Sequence, residues 1–405
     1  MESYQQGSRN PILQKKKKRW LVPFLVIVAI IVGIAGFFAW KAGFTLSKIS
    51  TEGGGGLLQS LTRVIPGVES KVKGEEEGRI NIALLGMRGE NVPGGGTLTD
   101  TIMVVSIIPK ENKASLVSVP RDLWVKNPGS ESYSKINAVH AYGEENGKQQ
   151  GLSQMEKVLE EVLGLPIHYA VRIDFKGFKE LIDDVGGIQI TLDKPFEEGV
   201  QFNEPKVCDP YVFTKPAFDP VTKKQLVETK YFTRKNGTKD IAAQYPMCTN
   251  PNTECGGNFK LPAGTQTLNG DQALCFARSR ATSSDFERAK RQQIIIQKIQ
   301  EKVISLGTMS DFGKVNAMLD TLGSNVKTDL QAWEMKRLYD LYKGMQNIQV
   351  VQRVLEASEE GLLYFPETTP EKGSILSPIG DNYGKIHEMF KNIFTLPEQS
   401  DINPR

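Results

Sequence analysis

The segment that most limits what this chain can fold into is the uncharged apolar run from Leu21 to Trp40, LVPFLVIVAIIVGIAGFFAW. At about 1.5 Å rise per residue, a helix of this length spans roughly 30 Å, the thickness of a bilayer's hydrocarbon core. Trp20 and Trp40 frame it where interfacial aromatics belong, and membrane helices tolerate residues such as Gly33 and Gly36. The competing reading is a cleavable signal peptide. That needs a shorter apolar core and an A-x-A-like site, and none follows Trp40. Arg9, Lys15, Lys16, Lys17, Lys18 and Arg19 precede the run, and only Lys41 and Lys48 follow it closely. The positive-inside rule therefore predicts a basic cytoplasmic tail at 1–19, one transmembrane helix at 20–40, and all later residues outside the cytoplasm. With 50 Lys and Arg against 47 Asp and Glu, charge balance gives no case for nucleic acid.

That orientation puts Cys208, Cys248, Cys255 and Cys275 where disulfides persist. Sequence alone leaves the pairing open. Because Cys208, Cys248 and Cys255 share one irregular stretch, the expected bridge joins Cys208 to Cys248 or Cys255. Cys275 lies in a strand-like run and reads as a small buried apolar residue. Zinc is the rival ligand. No paired C-x-x-C exists, and His140, His168 and His387 lie far from the cysteines in sequence.

Residues 41–78 read as a flexible linker, with Gly53–Gly56 and the acidic run Glu75–Glu77. A folded domain is expected over 79–395, closed by a tail at 396–405. Ile80–Gly86 is a short apolar run bounded by glycine, as in a buried strand. Thr101–Ile108 and Ala114–Val119 read as a hairpin turning at Pro109–Lys113. Leu152, Met155, Leu159 and Val162 mark a helix face, Ile167–Ile173 a strand, and Phe178, Leu181, Ile182 and Val185 a second helix capped by Gly186-Gly187. Ile188–Leu192 and Ala273–Arg280 read as strands, and Asp285 to about Ile304 as a long helix. Residues 196–260 are a proline- and cysteine-bearing excursion from a core at 79–195 and 260–305, and 306–395 form a C-terminal part. This alternation predicts an α/β fold: a three-layer α/β/α sandwich with a mixed central sheet, preceded by the one transmembrane helix.

Two constellations carry chemistry. Read as a strand, 273–280 points Arg278 and Arg280 from one face. The next helix opens with Ser284 and Glu287 at capping-box spacing, and Arg288, Arg291 and Gln292 share a face continued by Ile295 and Ile299. Guanidinium forks beside a helix N-terminus suit phosphate oxygens, and the apolar stripe suits a greasy tail. Surface arginines paired with Asp285 and Glu287 are the plainer alternative. In the second constellation, Asp100 enters a strand from a Gly-rich loop, and Arg121 and Asp122 follow the next strand, at the edge where open α/β sheets bind ligands. Asp100 could hold Mg²⁺ or serve as an Asx-turn residue. Lys135 is a further candidate phosphate contact. No G-x-x-x-x-G-K-[ST] or G-x-S-x-G motif occurs.

In this order the segments NIALLG (Asn81–Gly86), TDT (Thr99–Thr101), SVPRD (Ser118–Asp122), KIN (Lys135–Asn137), DFKGF (Asp174–Phe178), VGGI (Val185–Ile188), GTQTLNGDQALCFARSR (Gly264–Arg280) and DFERAKRQQ (Asp285–Gln293) resemble the LytR-CpsA-Psr family of bacterial cell-wall proteins. The resemblance implies an α/β/α sandwich that buries a polyprenyl chain, with its pyrophosphate held by arginines and Mg²⁺. It implies a phosphotransferase that moves a glycopolymer phosphate from undecaprenyl pyrophosphate to a muramic acid hydroxyl of peptidoglycan. Carried over by motif, Asp100 is the Mg²⁺ ligand and a candidate base, while Arg121, Arg278, Arg280, Arg288 and Gln292 hold phosphates. Leu98 stands where the family often has arginine, and Met87-Arg88 where it often has an acid. Arg88 is then a candidate replacement for the lost positive charge, and Glu90 for the lost carboxylate. Rivals to phosphotransfer are a polyprenyl-pyrophosphate hydrolase and a non-enzymatic lipid-binding envelope regulator or scaffold.

Overall fold

The computed structural model describes residues 71–399 except 91–95, 146–147, 200–204, 211–212, 235–236, 250–253, 281–282, 306–321, 358–360, 370–371 and 398. The tail expected at 1–19, the apolar run at 20–40 expected to span a membrane, most of the expected linker and the last residues therefore lie outside the described residues. Among those described, no helix is long and apolar enough to cross a membrane.

The domain begins upstream of Arg79, the boundary expected from sequence. Val72 is buried beside Ile80, Tyr169 and Trp333. The Glu75 carboxylate, read as part of an acidic linker, grips the Arg337 guanidinium. Strand β1 (Ile80–Met87) then alternates between two covered faces. It pairs antiparallel with β2 (Thr99–Ile108), which turns through Pro109–Glu111 into β3 (Lys113–Ser118). Asn112 closes that turn in the left-handed region at φ 53°, where asparagine is better tolerated than most residues.

A small hairpin of β4 (Trp124–Lys126) and β5 (Tyr133–Lys135) follows, running directly into helix α1 (Ile136–Glu144). Neither the hairpin nor α1 was read from the sequence. The signal for α1 was present, because its buried residues Ile136, Val139, His140 and Gly143 recur at helical spacing. Helix α2 (Gly151–Leu163) buries Leu152, Met155, Leu159 and Val162 as their spacing requires. Strand β6 (Tyr169–Asp174) pairs parallel with β1. Helix α3 (Phe175–Asp184) starts on an Asp174 cap that accepts from the Gly177 N–H at 2.9 Å. It ends at Gly186 and Gly187, both with positive φ.

Strands β7 (Ile188–Leu192) and β8 (Phe196–Glu198) lead into the excursion, which holds β9 (Lys206–Val207), β10 (Lys215–Pro216), β11 (Val227–Thr233) and β12 (Lys239–Thr249). These last four form their own antiparallel sheet. The Cys208–Cys248 disulfide closes it. The chain returns through β13 (Phe259–Leu261) and β14 (Gly264–Leu268), paired with β8 and β7.

Two expectations change here. Residues 270–278 form helix α4 (Gly270–Arg278), not a strand. Cys275 is bonded to Cys255 and is not a free apolar residue. Helix α5 (Asp285–Ser305) matches its expected span. The C-terminal part supplies β15 (Val326–Thr328), α6 (Ala332–Gly344), β16 (Gln349–Val354) and α7 (Gly384–Lys391).

The central sheet is mixed, in the order β15-β6-β1-β2-β3-β16. On one face, Ala83, Leu85 and Ala170 meet Leu152, Met155 and Leu159 of α2 and Ile386 of α7. On the other, Ile80, Ile82 and Val171 meet Leu330, Trp333 and Leu338. A further cluster joins Ile182, Ile188, Ile190, Phe276 and Ile295 under α4 and α5. Because β1, β3, β6 and β16 run the same way, their C-terminal ends share one edge. That edge carries the candidate site.

Candidate functional site

A cavity of about 210 Å³ opens at this edge, between the ends of β2 and β3, the first turns of α5 and the segment around Phe365–Leu376. Helix α5 is held over it by the fully buried Gln293, whose amide donates to Ser118 Oγ at 2.8 Å and the Arg353 carbonyl at 2.7 Å. Its N-terminus is set by Ser284, whose Oγ accepts from the Glu287 N–H at 3.1 Å.

Charges of both signs interleave on the polar wall. Arg121 reaches Asp100 at 2.7 Å, Asp122 at 3.5 Å and Asp285 at 3.6 Å. Asp285 is also met by Arg288 at 3.3 Å and Arg280 at 3.4 Å, and Lys135 bonds Asp122 at 2.7 Å. Burial opposes the charge on Arg121, but Asp100, then Asp122 and Asp285, carry its pKa above the ordinary arginine value. Its buried Nε still has no hydrogen-bond acceptor. For Arg288 the balance falls the other way. Burial lowers its pKa, Arg121 and Arg280 push it further down, and the opposing field of Asp285 does not make up the difference. Four cations, Arg121, Arg280, Arg288 and Lys135, thus share the three carboxylates Asp100, Asp122 and Asp285, and phosphate oxygens are the ligand that guanidinium forks match.

The apolar wall is built from Ile102, Val119, Phe286, Phe365 and Leu376. Phe286 and Phe365 meet edge to face at 6.5 Å between centroids. It is therefore not the α5 stripe expected from sequence, since Ile295 and Ile299 pack into the cluster under α4. The contributions of Phe365, Ser374 and Leu376 come from a segment with no local motif, and sequence reasoning missed them.

The structure thus brings Asp100, Arg121, Arg280, Arg288 and Gln292 to one cavity region, with Lys135 attached through Asp122. Gln292 also donates to the Ala277 carbonyl at 3.2 Å. Arg278 and Arg280 do not share a strand face. Arg278 ends α4 and lies over the Phe175 ring at 4.8 Å, while Arg280 follows in the turn toward α5. Arg291, read as a sharer of the anion-facing stripe, instead donates to the Ser279 carbonyl and to Ser283 Oγ and lies over the Phe196 ring at 5.4 Å. It locks the α4–α5 turn. Neither Arg88 nor Glu90 lines the cavity, and the field of Glu90 falls on the Arg172 guanidinium.

No group of three or more candidate metal ligands occurs among the described residues. Mg²⁺ asks for less, because one or two carboxylates with substrate phosphates and water complete its octahedron. Asp100 fits that role, with Oδ1 on Arg121 and its side chain 39% exposed on the cavity wall.

The LytR_cpsA_psr family model matches residues 59–376. A polyisoprenyl-teichoic acid–peptidoglycan teichoic acid transferase, TagT of Bacillus subtilis (strain 168), is 24% identical over 364 residues, covering 87% of this chain and 91% of the relative. TagU of Bacillus mycoides (strain KBAB4), which bears the same transferase description, is 27% identical over 341 residues, covering 83% and 88%. A solved structure described as TagT bound to LIIa-WTA superposes with a TM-score of 0.51 at 21% identity, covering 81% of this chain and 94% of that one. At that identity the structural likeness is one of fold.

Proposed function

The chain belongs to the LytR-CpsA-Psr family, and from that premise we propose that it is a membrane-anchored phosphotransferase. It moves a glycopolymer phosphate from an undecaprenyl pyrophosphate carrier to peptidoglycan, on the outer side of the cell membrane. The observation that carries this reading is the cavity lined by Arg121 and Arg288 against an apolar wall, with Arg280 meeting them at Asp285 and burial opposing the Arg288 charge. A diphosphate on a lipid satisfies both halves. The described activity of TagT and TagU, transfer of teichoic acid from a polyisoprenyl carrier to peptidoglycan, supports the same class.

In the proposed reaction, an acceptor hydroxyl oxygen bonds to the phosphorus nearest the glycopolymer. The bond from that phosphorus to the bridging oxygen breaks, and polyprenyl monophosphate leaves with the bridging oxygen. The hydroxyl proton is released at the open side of the cavity, beside Asp100. Phosphoryl transfer is mostly positioning and charge stabilisation, so no nucleophilic side chain is needed. Arg121 and Arg288 hold the phosphates from within, Arg280 closes from the turn, and Asp122 with Lys135 fixes the Arg121 side chain. Mg²⁺ held by Asp100 would supply further neutralisation of the phosphate oxygens.

The test is incubation of the full-length protein with a lipid-pyrophosphate-linked oligosaccharide, with and without peptidoglycan fragments, with products read by mass spectrometry. The expected products are phosphate-linked oligosaccharide on the fragment and polyprenyl monophosphate, formed only when the fragment is present. Equal release of free oligosaccharide phosphate without the fragment would make the protein a hydrolase. Bound lipid with no product under any metal would make it a lipid-pyrophosphate-binding regulator. Either outcome overturns the proposal.

A further inference from the structure

A second hollow, of about 430 Å³, lies between the β4–β5 hairpin and the region where α1 passes into α2. Two of the molecule's exposed large side chains line it, Tyr133 at 54% and Tyr142 at 48% relative exposure. The polar lining is dominated by uncharged groups such as Asn127, Ser132, Gln150 and Gln154. The hairpin wall is built in advance: Asn127 Nδ2 donates to Ser132 Oγ at 2.9 Å, and Ser134 Oγ donates to Asn127 Oδ1 at 2.7 Å. A preformed groove saves the ligand the ordering cost of binding.

This chemistry suits a sugar ring. A pyranose offers a C–H face to an aromatic plane and a rim of hydroxyls and amides to neutral donors and acceptors. A phosphate or nucleic acid would call for guanidiniums and ammoniums, and among the described lining residues the groove has Lys148 alone.

Position supplies the second argument. Lys135, two residues after Tyr133 on the same strand, holds Asp122 in the wall of the arginine cavity. At about 3.3 Å per residue, that sets Tyr133 roughly 7 Å along the strand on the same face. On the other side of the groove, the Asn137 N–H donates to the Arg121 carbonyl at 3.3 Å. Tyr142 lies five residues further along α1, roughly 7.5 Å at 1.5 Å rise. Both tyrosines thus sit on elements that are bonded, a few residues away, to Asp122 and to the Arg121 backbone.

We propose that this groove binds the glycan strand of the acceptor, with its rings against Tyr133 and Tyr142, so that a hydroxyl a few sugars along reaches the arginine cavity. This rests on the phosphotransferase reading for its role, though not for its ligand chemistry. The probe is a soluble oligosaccharide of alternating N-acetylglucosamine and N-acetylmuramic acid, titrated into full-length protein in detergent without donor. Tyr133→Ala and Tyr142→Ala are each expected to weaken binding roughly tenfold, as for loss of one aromatic face, whereas Tyr133→Phe and Tyr142→Phe stay within about twofold. In turnover, the alanine variants raise the KM for acceptor by a similar factor and leave kcat and the KM for donor within about twofold. Unchanged oligosaccharide affinity overturns the proposal, as does a rise confined to the donor KM, which would give the groove to the donor's polymer. Oligosaccharide binding that depends on the tyrosines in a protein with no turnover would sink the phosphotransferase reading and leave the groove standing.

Discussion

Arg288 is the cavity arginine whose charge the surrounding fold opposes. It is 9% exposed, its charge is opposed by burial and by two neighbouring guanidiniums, and one shared carboxylate faces it. Arg288→Ala is expected to weaken donor binding at least tenfold, read as the Kd for a polyprenyl pyrophosphate. Arg278→Ala serves as the contrast, because that guanidinium lies on the Phe175 ring outside the cavity, and its donor Kd should move less than about threefold. Equal losses from both would mean that the phosphate sits elsewhere. A different residue is expected to weaken the fold in acid. His140 is buried in α1 with Nδ1 3.1 Å from the Thr97 carbonyl, and burial, aided by the field of Arg172, lowers its pKa to about 4. The unfolded chain binds this proton near pH 6.5. Between those values the unfolded state carries more protons, so the contribution of His140 to stability is whole above about pH 6.5 and lost as pH falls toward 4. Denaturation midpoints measured across that window should drop toward acid, and His140→Asn should flatten the slope by about one proton. An unchanged slope would assign the loss to other groups, of which His168, also lowered by burial, is the first candidate.

At the scale of elements, the joint between α3 and α4 is the most exacting. A Cβ built on Gly270 would stand 2.4 Å from the Lys179 carbonyl oxygen and 2.7 Å from its Cα, so α4 can start here only with glycine. Gly270→Ala must push the helices apart and is expected to cost about 1–3 kcal/mol in chemical denaturation, the range of overpacked cores. A neutral result would show that the joint yields. The same helix shows what the sequence hid. Residues 273–280 read ALCFARSR, short, apolar and without clear period, so strand and helix templates fit about equally. The deciding signal lay just before it, where Asn269 and Gln272 form a capping box with bonds of 2.9 and 3.2 Å. The β2–β3 hairpin was legible from two apolar runs around a proline turn, α2 from its period, and α3 and α5 from period together with the Asp174 and Ser284 caps. The site was legible only in part. Asp100, Arg121 and Arg288 sit in local motifs, whereas Phe365 and Leu376 reach the cavity through tertiary contacts that leave no pattern along the chain. The Cys255–Cys275 pairing was hidden for the related reason that the strand misreading kept Cys275 away from its partner.

Over the whole molecule, the cavity and the proposed substrate differ in size. About 210 Å³ accommodates a head group, but it falls below the roughly 300–1,000 Å³ range of pockets for drug-sized ligands, before any polyprenyl tail is counted. The tail therefore needs space from the close-packed core, and the direction is set by what lies behind the arginines. Ile102, Val119 and Leu376 belong both to the cavity wall and to the large cluster between the sheet and α2. Opening that cluster means lifting α1 and α2, locked to each other where Gly143 meets Gly151 too closely for a Cβ, from the apolar residues of β1, β2 and β6. The opposite face, where Trp333 and Leu338 cover Ile80 and Ile82, shares no residue with the cavity and should stay shut. Hydrogen exchange on the full-length protein distinguishes the two faces. Amides of α1 and α2 are expected to exchange by local opening without lipid and to slow on adding a polyprenyl pyrophosphate, while those of α6 keep their rates. Inorganic pyrophosphate alone should protect the first turns of α5 without changing α2, because it fills the head-group site and leaves the core closed. Protection of α6, or of neither face, would mean that the lipid chain lies outside the fold and that the arginine cavity grips only its head.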